Sequence, residues 1–349
     1  MKKFVCILLA VLMMGMFVAC ASGSEGASTP STTSTPGTPD GTASTEAPAA
    51  APADGKTLNI GFVFSNANAD SYHTAHYNES IRYAKEQGIN LMMLDPGGDI
   101  PTQITQVEDL VQQKVDALMV WAVDVNAIVP AVKKAYDAGI PVIVNMALTE
   151  EGMQYVTCYV GEDNVEMGRL LGAAVVKHFE NSGKETVKVV EIAHRTGLLA
   201  GQQRAEGFRI GIAGSNVEII ESHSCEGSRE TATQLMEGYI SKYGADGFDV
   251  VFSHGNSYGI GILNAIRDAN LAGKYVVTGI AHNMESYERL LSGELTYDIV
   301  SSPIACSQKM IDVAIRAAKG EPVKAIEYVP LALYTKEYIE TNNTEIPTW

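Results

Sequence analysis

The chain has 349 residues, of which 46% are hydrophobic, so it is long enough to fold as two domains with separate cores. Its 41 acidic residues outnumber its 25 basic residues, and the formal net charge is -16 at pH 7. This charge excludes nucleic acids and anionic lipid surfaces as main partners, because both would favour a basic face.

The first twenty residues have the composition of an export signal. Two lysines precede an apolar run that begins at Phe4, and small residues stand just before Cys20. The segment resembles a bacterial lipoprotein signal, which implies that residues 1–19 are a signal peptide and that Cys20 is lipidated. The alternatives are a plain secretory signal and a single membrane span, for which the apolar run is short.

Residues 20–55 are mainly Ser, Thr, Pro, Gly and Ala, as in the run STPSTTSTPGTP. This composition offers too little apolar surface to offset the conformational entropy of the chain, so the segment is predicted to be a disordered tether. A tether of this kind would hold a folded domain away from the membrane that carries the lipid.

The folded part begins with alternating strand and helix patterns. Short apolar runs predict four strands, and segments with helical spacing between them predict three helices. The strands are 58–64, 89–94, 117–121 and 141–144, and the helices are 71–87, 102–114 and 127–137. Such alternation predicts a mostly parallel sheet with helices on both faces.

The stretch 158–172, CYVGEDNVEMGRLLG, predicts a strand that runs through Gly161 and turns directly into a helix. The alternation then starts again. The later predicted strands are 187–192, 217–222, 249–253, 275–279 and 297–300. The later predicted helices are 199–213, 229–242, 257–270, 286–292 and 303–319. Residues 323–334 are predicted to be an extended tail. Two similar halves joined at a crossover form a cleft, which is where small ligands bind.

Five motifs in this order and spacing carry a family resemblance. They are NIGFV at 59–63, QVEDL at 106–110, AGIPV at 138–142, GEDN at 161–164 and RAEGF at 204–208. Together they resemble the type I periplasmic binding proteins of the ribose and galactose group, which are extracytoplasmic receptors of ABC importers.

The resemblance implies an α/β fold of two doubly wound parallel-sheet lobes joined by a three-segment hinge. The implied lobes are 56–161 with 302–331, and 162–301 with 332–349. It also implies that a sugar or similar small polar solute is trapped between the lobes and delivered to an ABC permease. The chain would be a monomer without catalytic activity or cofactor, lipid-anchored to the outer face of the cytoplasmic membrane at the cell surface.

Ligands of open parallel sheets bind beyond the carboxyl ends of the strands, so the implied site residues lie in those loops. The sugar-gripping pattern of the family is altered there: Tyr72 leaves a single aromatic ring, Trp121 stands in place of an asparagine, and Gln202 in place of an arginine. The expected ligand-binding residues are Asn68, Ser71, Tyr72, Trp121, Asn145, Met146, Gln202, Asn256, His282 and Ser301.

The positions of the histidines suggest an alternative ligand, a metal ion or a metal chelate. Six of the seven stand at or just beyond predicted strand ends: His73, His76, His194, His223, His254 and His282. Because imidazole is a common ligand of zinc, nickel and copper, the protein could be a receptor for a metal or a metal chelate. The histidines could equally be hydrogen-bond partners in polar loops, since no HExxH or CxxC spacing is present and no metal site is predicted.

Two further alternatives concern activity and partner. The run GNSYG at 255–259 matches the GxSxG motif of serine hydrolases, with Asp268 and His282 following in the required order. Both follow Ser257 too closely for the usual spacing, and Asn256 and Ser257 could simply cap the next helix. Independently, a receptor of this fold could pass a sugar-like signal to a membrane sensor rather than a permease.

Overall fold

The computed structural model describes residues 57–280, 283–300, 302–342 and 347. Strands and helices alternate along this part of the chain. The strands are β1 (Asn59–Val63), β2 (Asn90–Leu94), β3 (Ala117–Val120), β4 (Val142–Val144), β5 (Cys158–Gly161), β6 (Val187–Ala193), β7 (Val217–Ser224), β8 (Val250–Ser253), β9 (Val276–Ile280), β10 (Tyr297–Val300), β11 (Ile326–Tyr328) and β12 (Ala332–Tyr334). The helices are α1 (Ser71–Glu86), α2 (Ile100–Gln112), α3 (Val129–Asp137), α4 (Glu150–Met153), α5 (Asn164–Phe179), α6 (Leu199–Ile212), α7 (Arg229–Tyr243), α8 (Asn256–Asp268), α9 (Met284–Ser292), α10 (Pro303–Ala318) and α11 (Lys336–Asn342).

The strands form two six-stranded sheets. The first has the order β11-β5-β4-β3-β1-β2 and the second the order β12-β10-β9-β8-β6-β7. Every pairing in the first sheet is parallel, and β12 is the antiparallel partner of β10 in the second. The predicted fold class, two lobes built on parallel sheets, is confirmed.

Each sheet is covered by helices on both faces, which explains why its central strands are continuous apolar runs. In β3 all four residues are buried, with Leu118 in the layer under α2 and α3 and Met119 in the layer under α10. The same holds for β8, where Val251 and Phe252 belong to opposite layers. This is the pattern expected of a doubly wound sheet, because neither face meets water.

The chain crosses between the sheets three times, always at the carboxyl edge. After Gly161 ends β5, α5 begins at Asn164 and packs on α6 and β10 of the second sheet. After β10, α10 begins at Pro303 and packs on α1 and β3 of the first sheet. The third crossing joins β11 to β12. At most three residues separate the elements at a crossing, and the four Cα steps across them reach about 14 Å, so the carboxyl edges of the two sheets must lie close together at these crossings.

Two short helices, α4 and α11, were not predicted from the sequence, because four and seven residues show too little periodicity. Helix α2 begins before the predicted Thr102, since the side chain of Asp99 accepts a hydrogen bond from the Thr102 backbone N–H at 2.8 Å. The suggestion that Asn256 and Ser257 cap the following helix is wrong: the N-cap residue of α8 is Gly255.

Within the described residues, no helix combines the length and apolar character that crossing a membrane would need. The predicted signal peptide, the lipidation site Cys20 and the predicted tether lie outside the residues that the structure describes.

Candidate functional site

The loop after β3 and the start of α1 bring aromatic rings together at the carboxyl edge of the first sheet. Trp121 directly follows β3 and is 6% exposed. The His73 ring stacks on it with 4.4 Å between ring centroids and 23° between planes, and the Tyr72 ring meets it edge-on at 6.1 Å. Beneath it lies Phe64, at 4.9 Å. Tyr72, His73 and Trp121 are called the aromatic wall below.

One hydrogen bond joins the aromatic wall to the first crossover, and others hold Asn145 close by. The Tyr72 hydroxyl donates to Glu162 Oε1 at 2.8 Å. Behind it, the Asn145 amide Nδ2 donates to the Val160 carbonyl at 3.1 Å and to Cys306 Sγ at 2.9 Å. Asn145 is 9% exposed, so these bonds fix its side chain beside the crossings at β5 and α10.

The remaining first-lobe candidates surround this wall. Met146 is half-buried and packs in the same apolar layer as Trp121. Asn68 and Ser71 are exposed, in the loop before α1 and at its first residue. The first sheet therefore brings Tyr72, Trp121 and Met146 into one cluster and leaves Asn68 and Ser71 at its rim.

On the second sheet, the predicted residue Gln202 lines an open cavity of about 740 Å³. The cavity lies between α6 and the carboxyl ends of β6 and β7. Its lining includes His194, Arg195, Glu206, Ser222 and Ser224. A second cavity of about 470 Å³ lies at the amino ends of β8 and β9, away from the crossovers, and is not a candidate for the site.

A buried, hydrogen-bonded pair of side chains forms the floor of the larger cavity. Glu191 and His254 are each 1% exposed, and Glu191 Oε1 lies 2.8 Å from His254 Nε2. Arg209 Nη2 donates to Glu191 Oε2 at 2.8 Å. Burial alone would raise the pKa of Glu191, but the hydrogen bonds from His254 and Arg209 lower it to about 2.

Arg204 connects this pair to the first crossover. Its Nη1 donates to the His254 carbonyl at 2.6 Å, and its Nε donates to Asn164 Oδ1 at 2.8 Å. Asn164 is the first residue of α5 and follows Glu162 by two positions. The GEDN and RAEGF motifs thus meet in the fold, because each supplies one end of this contact.

The described histidines differ in exposure: His76 and His254 are buried, His73 and His194 are half-buried, and His178 and His223 are exposed. His76 is fully buried among aromatic rings, and this burial lowers its pKa to about 3. Burial also lowers the pKa of His194 to about 4. His223 is exposed on β7, where its Nδ1 lies 3.0 Å from the Tyr239 hydroxyl. In the part of the chain that the structure describes, no three His, Cys, Asp or Glu side chains are grouped to hold a metal ion.

The geometry of α8 argues against a hydrolase built on GxSxG. Ser257 is the second residue of this helix and Asp268 its last. Eleven residues of α-helix span roughly 16 Å, so the two cannot belong to one triad with a shared histidine.

Three predicted site residues fall wholly or partly outside what the structure describes. Asn256 is the first residue of α8, at the carboxyl end of β8, but its side chain is not described. His282 and Ser301 lie outside the described residues.

Sequence reasoning missed Glu162 and Glu191 as parts of the site. Glu162 was visible only as a member of the GEDN motif. Glu191 gave a signal, since it is the only acid in the strand run VKVVEIA and is flanked by buried apolar residues. A lone carboxylate in a buried strand must be paired, and its partners are usually functional or structural bases.

Comparisons with known proteins agree with this architecture. A family model described as the periplasmic binding protein domain matches residues 60–322. The ribose import binding protein of Bacillus subtilis is 29% identical over 255 residues, which cover 73% of this chain and 80% of that protein.

Two solved structures share the fold over most of both chains. A galactofuranose binding protein is 25% identical, with a TM-score of 0.70 and coverage of 81% of this chain and 96% of the other. A solute binding protein of an Actinobacillus succinogenes ABC transporter, with bound D-allose, is 22% identical with a TM-score of 0.73, covering 82% and 100%. The two-lobed fold, the three crossings at one edge and the family match lead to one conclusion: this chain belongs to the periplasmic binding protein domain family.

Proposed function

We propose that this chain is the extracytoplasmic receptor of an ABC importer and that it binds a sugar or a similar small polar solute between its two lobes. The observation that carries this proposal is the aromatic wall at the edge where the chain crosses between the sheets. Aromatic rings offer apolar contact to the C–H face of a sugar, and nearby polar groups fix its hydroxyls. Relatives named for ribose and galactofuranose support this ligand class.

The proposed mechanism uses the three crossings as a hinge. Ligand first contacts Tyr72 and Trp121 on one lobe, and rotation of the second lobe brings Gln202 and the start of α8 towards it. Closure removes the ligand from water, which strengthens each hydrogen bond to it. The closed form then presents a changed surface to the permease, which is the proposed partner. Asn68, Ser71, Asn145, Met146, Asn256, His282 and Ser301 complete the proposed ligand-binding set.

Thermal unfolding with a panel of sugars and polyols tests the proposal. A ligand at about 100 times its dissociation constant should raise the free energy of unfolding by about 2.7 kcal/mol. NMR of the recovered sugar should show it chemically unchanged, because the proposed receptor is not an enzyme and uses no cofactor.

Other outcomes would favour other functions. Stabilisation by zinc or nickel that a chelator reverses would favour the metal receptor. Ester turnover that is lost in Ser257→Ala would favour the hydrolase. A panel in which no sugar or polyol stabilises the protein would contradict the proposal.

The proposed location is the outer face of the cytoplasmic membrane, with lipid on Cys20 after removal of residues 1–19 and a tether formed by 20–55. The support for this is the order of lysines, apolar run and cysteine in the sequence. Cells fed labelled palmitate should incorporate it into the wild-type protein but not into Cys20→Ser, which should leave the membrane fraction. Equal labelling of both proteins would contradict lipidation at Cys20.

The proposed lobes are 56–161 with 302–331, and 162–301 with 332–349. Their support is the membership of β11 in the first sheet and of β12 in the second.

The receptor is proposed to act as a monomer, so light scattering should give the mass of one chain with and without ligand. A dimeric mass in both states would contradict this.

A further inference from the structure

The cavity beside α6 extends beyond the position where Gln202 would meet a ligand between the lobes. It runs along α6 from Leu198 to Ala213 and ends against Ser222 on β7. Its volume of about 740 Å³ falls in the range of pockets that hold drug-sized molecules. Ile210 on its wall is 50% exposed, which leaves an apolar side chain open to a ligand.

The lining of this cavity indicates an uncharged ligand with both apolar and hydroxyl-bearing faces. Its two carboxylates, Glu191 and Glu206, are balanced by two guanidinium groups, Arg195 and Arg209. Apolar groups of α6 form one side. Ser222 and Ser224 of β7 are on the other side. A sugar ring has this same division between a C–H face and a rim of hydroxyls.

His254 adds a specific hydrogen-bond acceptor to the cavity. The ionised Glu191 accepts from Nε2, so Nε2 carries the proton of the neutral ring and Nδ1 is left as an acceptor. Nδ1 is buried and has no hydrogen-bond partner among the described residues. Gly201, which also lines the cavity, lies beside it: a β-carbon at this position would be 3.9 Å from Nδ1 and 3.1 Å from the His194 β-carbon. A buried acceptor without a partner is costly unless a ligand or water donates to it.

We propose that this cavity is a second sugar subsite, which holds one ring of a neutral two-ring saccharide and accepts a hydroxyl hydrogen bond at His254 Nδ1. The other ring lies against the aromatic wall. This inference rests on the proposed function, because it places the second ring of a ligand that the lobes enclose. The ligand class is therefore an uncharged disaccharide or glycoside rather than a single pentose or hexose.

Calorimetric titration of the purified chain with single-ring and two-ring sugars tests the subsite. The probes are D-ribose, D-galactose and D-glucose, and lactose, melibiose and maltose. At least one of the two-ring sugars should bind about tenfold more tightly than the single-ring sugars from which it is built. Ala205→Phe places a ring in the cavity from α6 and should abolish this preference. The matched control is Ala269→Phe, at an exposed position after α8 outside the cavity, which should retain it.

NMR of His254 provides a second and more direct test of the subsite. In protein labelled with ¹⁵N-histidine, the Nδ1 resonance of His254 should move on addition of the two-ring sugar and stay in place with a single-ring sugar. If single-ring sugars bind tightest and Ala205→Phe binds every sugar like the wild type, the subsite is overturned while the receptor function stands. If no sugar binds the wild type, the receptor function fails and the subsite fails with it.

Discussion

The Tyr72 hydroxyl lies 2.8 Å from Glu162 Oε1, although 90 positions separate the two residues in the chain. This contact joins the start of α1 to the crossing between β5 and α5. It therefore links a residue of the aromatic wall to a segment about which the lobes would rotate. One hydrogen bond thus connects a proposed ligand-binding residue to the proposed hinge.

Tyr72→Phe should weaken sugar binding by about three- to tenfold, because the ring loses the hydrogen bond that orients it and Glu162 loses a donor. Titration calorimetry measures the change. Tyr83→Phe is the matched control, since Tyr83 is also on α1 and donates to a carboxylate, that of Asp312, at 3.0 Å. Its affinity should equal that of the wild type. Equal effects of the two substitutions would show that the loss is not specific to the site.

Trp121 should report ligand binding by fluorescence. It is one of two tryptophans, and the other, Trp349, lies outside the described residues. Sugar should change the emission of the wild type and of Trp349→Phe, and leave that of Trp121→Phe unchanged. A full ligand response in Trp121→Phe would separate this residue from the site.

The same residue should contribute to stability. Because Trp121 is buried against Phe64 and His73, Trp121→Ala should lower the free energy of unfolding by about 3–5 kcal/mol. Denaturant unfolding without ligand measures this. A loss below about 1 kcal/mol would mean that the ring is not packed as described.

His76 should make the protein less stable as the pH falls. Its pKa is lowered to about 3 by burial, whereas an unfolded histidine titrates near about 6.5. Between these values the unfolded chain binds a proton that the folded chain does not, so the free energy of unfolding falls with decreasing pH, by up to about 1.4 kcal/mol per pH unit.

Denaturant unfolding between about pH 7 and about pH 5 measures this slope, in a range above the titration of most carboxylates. His76→Leu should give a shallower slope than the wild type. A slope unchanged in His76→Leu would contradict the burial of a neutral imidazole.

Glycines allow α5 and α6 to pack closely, and this can be tested at Gly207. A β-carbon at Gly207 would clash with the Val165 carbonyl of α5. Gly207→Ala should therefore destabilise the protein by several kcal/mol, since backbone atoms would have to move. Gly238 is exposed on α7 with nothing within 4 Å of its missing β-carbon. Gly238→Ala should raise the free energy of unfolding by up to about 1 kcal/mol, and similar effects at both positions would refute the close packing.

The sequence predicted the fold well because each lobe repeats one local pattern. Strands buried on both faces are short apolar runs, and helices between them show a 3.6-residue period, so the bounds of β10 and the start of α6 were predicted correctly. The placement of β11 and β12 in different sheets depends on long-range pairing and came from the family resemblance alone.

The contacts within the site were much less accessible to sequence reasoning. Glu191 and His254 are 63 positions apart, and Asn145 and Cys306 are 161 apart. The sequence suggested polar roles for Asn145 and His254, but only the crossings of the chain determine which partners they meet. The histidines illustrate this: their positions at strand ends suggested exposure to the cleft, whereas His76 and His254 are almost fully buried.

The central claim is that a sugar is enclosed when the two lobes close on it, and the distance between the lobes tests this most directly. The cysteines in the described part, Cys158, Cys225 and Cys306, are buried, so spin labels can be directed to new cysteines at exposed positions. Asn126→Cys and Glu230→Cys place one label beside the carboxyl edge of each sheet. Pulsed electron paramagnetic resonance should show a shorter label-to-label distance once a bound sugar saturates the protein. An unchanged distance at saturation with sugar would contradict the account.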